Sequence, residues 1–213
     1  MPYRVILFDL DGTLADTIEL IVRSGQHALT TVLGWTPTRE ELLLGLGRPL
    51  HSHLGDYATS PDQLTELVTV YRGFQVQHHD ELTLPYDGVN DLVRWLRNDG
   101  RRLGVVTSKI EPLAHRALAL LGIDDAFNIV VGLESTTAHK PGPEPVLYAM
   151  NRLGATAAET VYIGDSPFDI RAAHAAGVDS VAVTWGAFSE EALLEHTPTH
   201  VARTAAELRA LLQ

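Results

Sequence analysis

The chain has 213 residues, 45% of them apolar and 20% charged, with a formal net charge of −11; with a mean hydropathy of +0.02 it reads as a globular protein with a sizeable core, not a disordered or membrane-embedded one. An acidic chain without a basic patch argues against nucleic acid and anionic membrane as partners. The absence of cysteine excludes disulfides, thiolate catalysis and cysteine-held metal.

Val5 to Phe8 is a short apolar run closed by Asp9, which predicts a buried strand and is too short for a signal peptide or a membrane span. A cytoplasmic location is therefore expected. From about Asp16 to Leu84 no strand pattern occurs, and helices are predicted at about 16–33, 38–46 and 61–79. Their starts are marked by Thr38 with Glu41, by Ser60 with Gln63, and by Pro61 at a first helical position. Beyond Leu84 helix and strand alternate: helix Val89 to Asp99, strand Leu103 to Val106, helix Leu113 to Leu121, strand Ile129 to Val131, helix Val146 to Leu153, strand Val161 to Ile163, helix Ile170 to Ala176 and strand Ser180 to Val183. Gly100, Gly122, Gly154 and Gly177 stop the helices. The pattern predicts an α/β fold, a doubly wound, Rossmann-like parallel sheet core from 1–15 and 85–213, with an inserted α-helical cap domain at 16–84.

The chemistry-bearing residues fall at strand ends. In Asp9-Leu10-Asp11-Gly12-Thr13 the two carboxylates stand at i, i+2 in extended backbone and point the same way, at the carboxyl edge where parallel sheets bind ligands. Gly164-Asp165-Ser166-Pro167-Phe168-Asp169 follows another apolar run. Like charges about 4 Å apart repel by roughly 4 kcal/mol at an effective dielectric of 20, so such a cluster holding a phosphate needs a cation. Oxygen-only donors with phosphate nearby suit magnesium better than zinc. Thr107-Ser108 ends a third run and offers hydroxyl and backbone N–H donors, and Lys140 adds a fixed positive charge on the proline-stiffened loop His139 to Pro143. Asp169 also fits a helix cap.

Taken in order, Asp9 to Leu14 with Asp16, then Thr107, then Lys140, then Gly164-Asp165 with Asp169 resemble the four motifs of the haloacid dehalogenase-like superfamily, over essentially the whole chain. The resemblance implies that Asp9 is a nucleophile attacking phosphorus. Asp11 would protonate the leaving oxygen and later activate water. It further implies that Mg2+ is held by Asp9, the backbone carbonyl of Asp11 and Asp165, with Asp169 as a ligand or a support behind them, while Thr107 and Lys140 hold the phosphoryl oxygens. Asp11 favours phosphoryl transfer, because the superfamily's dehalogenases lack that carboxylate.

The helical insertion looks like the small cap shared by phosphoglycolate phosphatase, a pyrophosphatase branch and β-phosphoglucomutase. The stretches Tyr71 to Phe74, His78 to Glu81 and Pro85 to Gly88 are most similar to the first two. The implied activity is a magnesium-dependent phosphatase acting on a small phosphorylated metabolite, a phosphoglycolate-like monoester or pyrophosphate, through an aspartyl-phosphate. The alternatives are a β-phosphoglucomutase-like phosphotransferase, which Thr13 disfavours, and a non-enzymatic phospho-accepting receiver module. Thr13, Ser108 and Arg48 are the candidate substrate contacts. Arg48 sits in the glycine-flanked cap segment Gly45 to Pro49, where an arginine fork can grip an anion. His78 and His79 are expected at a solvated helix end, His51 and His53 at the surface, and Trp35 and Trp95 in packing. Monomer and homodimer are both compatible with the sequence.

Overall fold

A computed structural model describes residues 3–213. The chain opens with β1 (Val5–Phe8), and a two-residue strand β2 (Ala15–Asp16) leads into four helices: α1 (Ile18–Leu33), α2 (Arg39–Leu43), α3 (Leu50–Gly55) and α4 (Pro61–His78). A second short strand, β3 (Leu84–Pro85), pairs antiparallel with β2, so the helical excursion leaves and returns through one two-stranded ribbon. The remainder alternates: α5 (Val89–Asn98), β4 (Arg102–Val106), α6 (Glu111–Leu120), β5 (Ile129–Val131), α7 (Glu144–Leu153), β6 (Thr160–Gly164), α8 (Pro167–Ala176), β7 (Asp179–Val183), α9 (Glu190–Leu194), β8 (His200–Ala202) and α10 (Ala205–Leu212).

The large sheet is parallel, in the order β5-β4-β1-β6-β7-β8. Every residue of β1 is buried, as a strand covered by helices on both faces must be. Its side chains alternate between two cores. Ile6 and Phe8 pack with residues of α5, α6 and α10 on one face, and Val5 and Leu7 with residues of α7 and α8 on the other. Strand order reverses beside β1, which is where a doubly wound sheet opens its ligand crevice. Helices α1 to α4 enclose a separate apolar core of Ile18, Val22, Leu29, Leu42, Leu54, Leu67 and Tyr71.

The helical segment differs from the sequence reading in its middle. Helix α2 stops at Leu43, and α3 is an element the sequence reading did not contain. Between the two helices the chain turns over residues 44–47, where Gly47 adopts φ +93°, and Pro49 stands ahead of α3. The capping box at Thr38 and Glu41 forms. Ser60 also caps α4, but the Gln63 side chain accepts from Thr59 N–H, not from Ser60. Three side chains are placed otherwise than expected. Trp35 is 43% exposed, whereas His53 and His79 are buried. His79 Nδ1 hydrogen-bonds to Asp80 (2.9 Å), and Asp80 also takes the Arg116 guanidinium, so this helix end is folded inward against α6. Trp95 is half-buried in the sheet core, under the Arg209 guanidinium.

Candidate active site

Three neighbouring strands deliver the site. Asp9 follows β1, Thr107 follows β4 and Asp165 follows β6, all at carboxyl ends. Oxygens of Asp9, Asp165 and Asp169 lie within 4.8 Å of one another, and all three residues are buried. Close approach is possible because Gly12, at φ +85°, lacks a Cβ that would come within 2.2 Å of Asp165 Oδ2.

Each carboxylate has distinct support. Asp165 accepts from Ala187 N–H (2.9 Å) and the Thr13 hydroxyl (3.3 Å). Asp169 receives Lys140 Nζ (2.7 Å) and the Tyr162 hydroxyl (2.8 Å) on one oxygen, and the Ser166 N–H (3.1 Å) and hydroxyl on the other. It also closes the capping box of α8 with Ser166, so both of its oxygens are engaged. Asp9 has the least. Lys140 Nζ forms an ion pair with its buried Oδ1 (3.0 Å), and no other polar group among the described residues reaches that oxygen.

The electrostatics follow from this crowding. Burial and the Asp169 charge push the Asp9 carboxyl up to about 7, Lys140 opposing them. Burial, with Asp169 and Asp9 adding to it, raises Asp165 well above the carboxylate range. Burial alone would lower Lys140, but the facing Asp169 and Asp9 hold it above the usual lysine value. Among the described residues, three buried carboxylates share one ammonium, and Asp9 Oδ1 has only that ammonium beside it. The residues fit a divalent cation with hard oxygen donors, which would supply the missing charge and a further partner.

Asp11 points elsewhere. Its Oδ1 is held by the Lys109 ammonium and the Thr17 hydroxyl. Burial would raise this carboxyl, but Lys109 and Thr17 outweigh it and hold it below the usual value. The Asp11 side chain is therefore outside the carboxylate cluster.

A cleft of about 710 Å³, its open mouth included, lies between sheet and helices. Asp9, Asp11, Thr107, Ser108, Lys109 and Lys140 line it from the sheet side, and Arg48, His53, Tyr71, Arg72 and Gln75 from the helical side. The expected substrate contacts divide. Thr13 is buried with its hydroxyl on Asp165 and is not part of the cleft wall. Ser108 lines the cleft, but its hydroxyl donates to the Gly47 carbonyl (2.7 Å), joining the helical segment to the sheet. Arg48 lines the cleft with its guanidinium bound to Asp56 (2.6 Å) and Ser52. Missing from the sequence reading were Lys109, Tyr162 and Arg72. Lys109 follows Thr107 in a bend in which its N–H donates to the Thr107 hydroxyl (3.2 Å), so no strand spacing marked its direction. Tyr162 was legible as a hydroxyl in an otherwise apolar strand, which must find a partner when buried.

The haloacid dehalogenase-like hydrolase family matches residues 6–183. Pyrophosphatase PpaX of Bacillus pumilus is 37% identical over 209 residues, 98% of this chain and 96% of that protein. Pyrophosphatase PpaX of Halalkalibacterium halodurans is 36% identical over 208 residues, again 98% and 96%. Among solved structures, one described as a predicted phosphoglycolate phosphatase from Haemophilus somnus superposes with a TM-score of 0.91 at 25% identity, covering 99% of this chain and 98% of that one. A haloacid dehalogenase-like family hydrolase from Streptococcus pneumoniae gives 0.87 at 26% identity, with 99% and 98% covered. A match that runs through Asp9, Thr107, Lys140 and Asp165 together, on the same fold, makes this chain a member of the haloacid dehalogenase-like hydrolase family.

Proposed function

We propose that the protein is a magnesium-dependent phosphatase acting on a small phosphorylated metabolite, either pyrophosphate or a phosphoglycolate-like monoester, in the cytoplasm. The observation that carries this reading is the buried cluster of Asp9, Asp165 and Asp169 around the Lys140 ammonium, from which Asp9 and Lys140 reach the wall of a capped cleft. Similarity to the PpaX pyrophosphatases and to the phosphoglycolate phosphatase structure supports the substrate class. No observation favours a mutase or a receiver module.

Asp9, the backbone carbonyl of Asp11 and Asp165 would hold the magnesium, with Asp169 fixing Lys140 behind them. Bound there, the ion supplies positive charge to the phosphoryl oxygens. An Asp9 carboxylate oxygen attacks phosphorus, and the bond from phosphorus to the leaving oxygen breaks as that oxygen takes a proton from Asp11. Water then attacks the aspartyl-phosphate, Asp11 takes back a proton, and the bond from Asp9 to phosphorus breaks to free inorganic phosphate. The Thr107 hydroxyl and Lys140 hold the transferring oxygens. Asp11 paired with Lys109 is in its ionised form, which suits the second step. The first step requires that it leave Lys109 and carry a proton. Residues 16–84 act as the cap that shields both steps from bulk water.

The test is steady-state phosphate release with magnesium from pyrophosphate, phosphoglycolate, hexose phosphates, nucleotides and an aryl phosphate, with Asp9→Asn as blank. A kcat/KM of about 10⁴ M⁻¹s⁻¹ or more on one of them, near the lower end for enzymes, supports the reading. Release no greater than the blank from all of them overturns it.

A further inference from the structure

Arg48, Arg72, Lys109 and Lys140 are the cationic side chains of the cleft wall. Lys140 faces Asp9 and Asp169, Lys109 faces Asp11, and Arg48 faces Asp56. Arg72 differs from them. It is half-buried on α4, and among the described residues no carboxylate stands within ion-pair distance of it and no side-chain hydrogen bond involves it. Gln75, one turn further along the same face of α4, is buried against the cleft, and its amide likewise makes no hydrogen bond among the described residues. A half-buried polar group without a protein partner loses part of its hydration, a cost that an apolar side chain at the same position would not incur. The cost is recovered when an anion arrives, because the guanidinium fork matches carboxylate and phosphate geometry and its hydrogen bonds are charge-assisted.

The position of this pair within the cleft says which anion. The phosphoryl end of a substrate belongs at the sheet wall, with Asp9, Thr107 and Lys140, while Arg72 and Gln75 stand on the helical wall of the same cleft. What faces them is the leaving group. We propose that Arg72, with Gln75 beside it, forms a subsite for a second anionic group, phosphate or carboxylate, carried on the leaving group of the substrate. This rests on the hydrolase reading above and assigns to Arg72, in place of the paired Arg48, the selection among substrates.

Arg72→Met keeps the aliphatic stem and removes the charge, and Arg72→Lys keeps the charge without the fork. In steady-state assays with magnesium, Arg72→Met should lose roughly 10- to 100-fold in kcat/KM on pyrophosphate or phosphoglycolate, chiefly through KM, the range expected for a charge-assisted hydrogen bond. Arg72→Lys should recover part of that loss. On p-nitrophenyl phosphate, whose leaving group carries no anion, the change should be several times smaller. The arm that wild type turns over better, pyrophosphate or phosphoglycolate, tells phosphate from carboxylate. Equal losses on all three substrates, or none on any, overturn the subsite, as does a wild type that prefers the aryl ester. Calorimetric binding of methylenediphosphonate against methylphosphonate gives a readout without turnover: Arg72→Met should weaken only the former. If no substrate is hydrolysed at all, the hydrolase reading fails, and the binding ratio still decides the subsite.

Discussion

Asp11 and Lys109, 98 residues apart in sequence, form an ion pair between the ends of the adjacent strands β1 and β4. The pair holds the proposed acid and base away from the carboxylate cluster in a defined orientation, shared with the Thr17 hydroxyl at the start of α1. Lys109→Met should lower kcat by about tenfold or more, within the range of a disturbed general acid and base, and leave the magnesium-dependent rise in melting temperature intact. Phosphate-release kinetics beside thermal melts check this. A loss of metal response would show that Lys109 serves the cation site instead.

Asp9 carries a charge that the metal-free fold resists. Its folded value of about 7 lies above the ordinary 3.8, so the stability associated with its proton is fully present below about 4 and is lost as pH rises through 7. Asp9→Asn is neutral at every pH. It should abolish turnover and, without metal at pH 8, melt no lower than wild type and up to several degrees higher, given about 2–4 °C per kcal/mol at this chain length. Differential scanning calorimetry in chelator measures it. A mutant that melts well below wild type would mean that the ionised carboxylate stabilises the apo fold.

How much of this was legible in the sequence depends on how local each signal is. Val5 to Phe8 followed by Asp9 declares itself, because a parallel strand covered on both faces must be apolar throughout and its carboxyl end is where polar groups begin. Asp9, Thr107 and Asp165 stood out for the same reason, whereas Lys140 lies on a loop and stood out by the prolines beside it. Strand β8 escaped because His200, Val201 and Ala202 form no apolar run of the kind that Ile129 to Val131 does at the opposite edge, and β2 and β3 are two residues each, too short for a period. Helix α3 escaped because its extent depends on packing. The Gly45 backbone lies on the His53 ring, where a Cβ would fall 2.2 Å from Nε2, and that contact joins residues the sequence keeps apart. The pairing of Arg48 with Asp56 and the lack of a carboxylate partner for Arg72 among the described residues are tertiary facts for which no spacing rule exists.

The Asp9 oxygen that has only Lys140 beside it among the described residues and the cluster around it make the fold itself a reporter of metal. Millimolar magnesium should raise the melting temperature of wild type, by an amount set by RT ln(1 + [L]/Kd), about 2.7 kcal/mol at a hundredfold excess over Kd. Asp165→Asn removes a donor oxygen supported by Ala187 N–H and should abolish most of that rise. Thermal shift with and without magnesium measures both proteins. An equal rise in the mutant would move the cation away from Asp165.

His53, on the helical wall of the cleft, supplies an acid-sensitive contact. Burial, aided by the Arg48 charge and opposed by Asp56, depresses its imidazolium to about 4 from 6.5. A depressed histidine is neutral in the fold and protonated in the unfolded chain between those values. Its contribution to stability is thus intact above 6.5 and declines as pH falls toward 4. At 1.36 kcal/mol per unit, the full difference slightly exceeds ~3 kcal/mol. His53→Gln cannot titrate, so between pH 7 and 5 its unfolding free energy should fall less than that of wild type by about 2 kcal/mol, whatever the substitution costs at pH 7. Urea unfolding at the two pH values gives the slope for each protein. Parallel slopes would show that the ring takes up its proton in the fold as readily as in the unfolded chain.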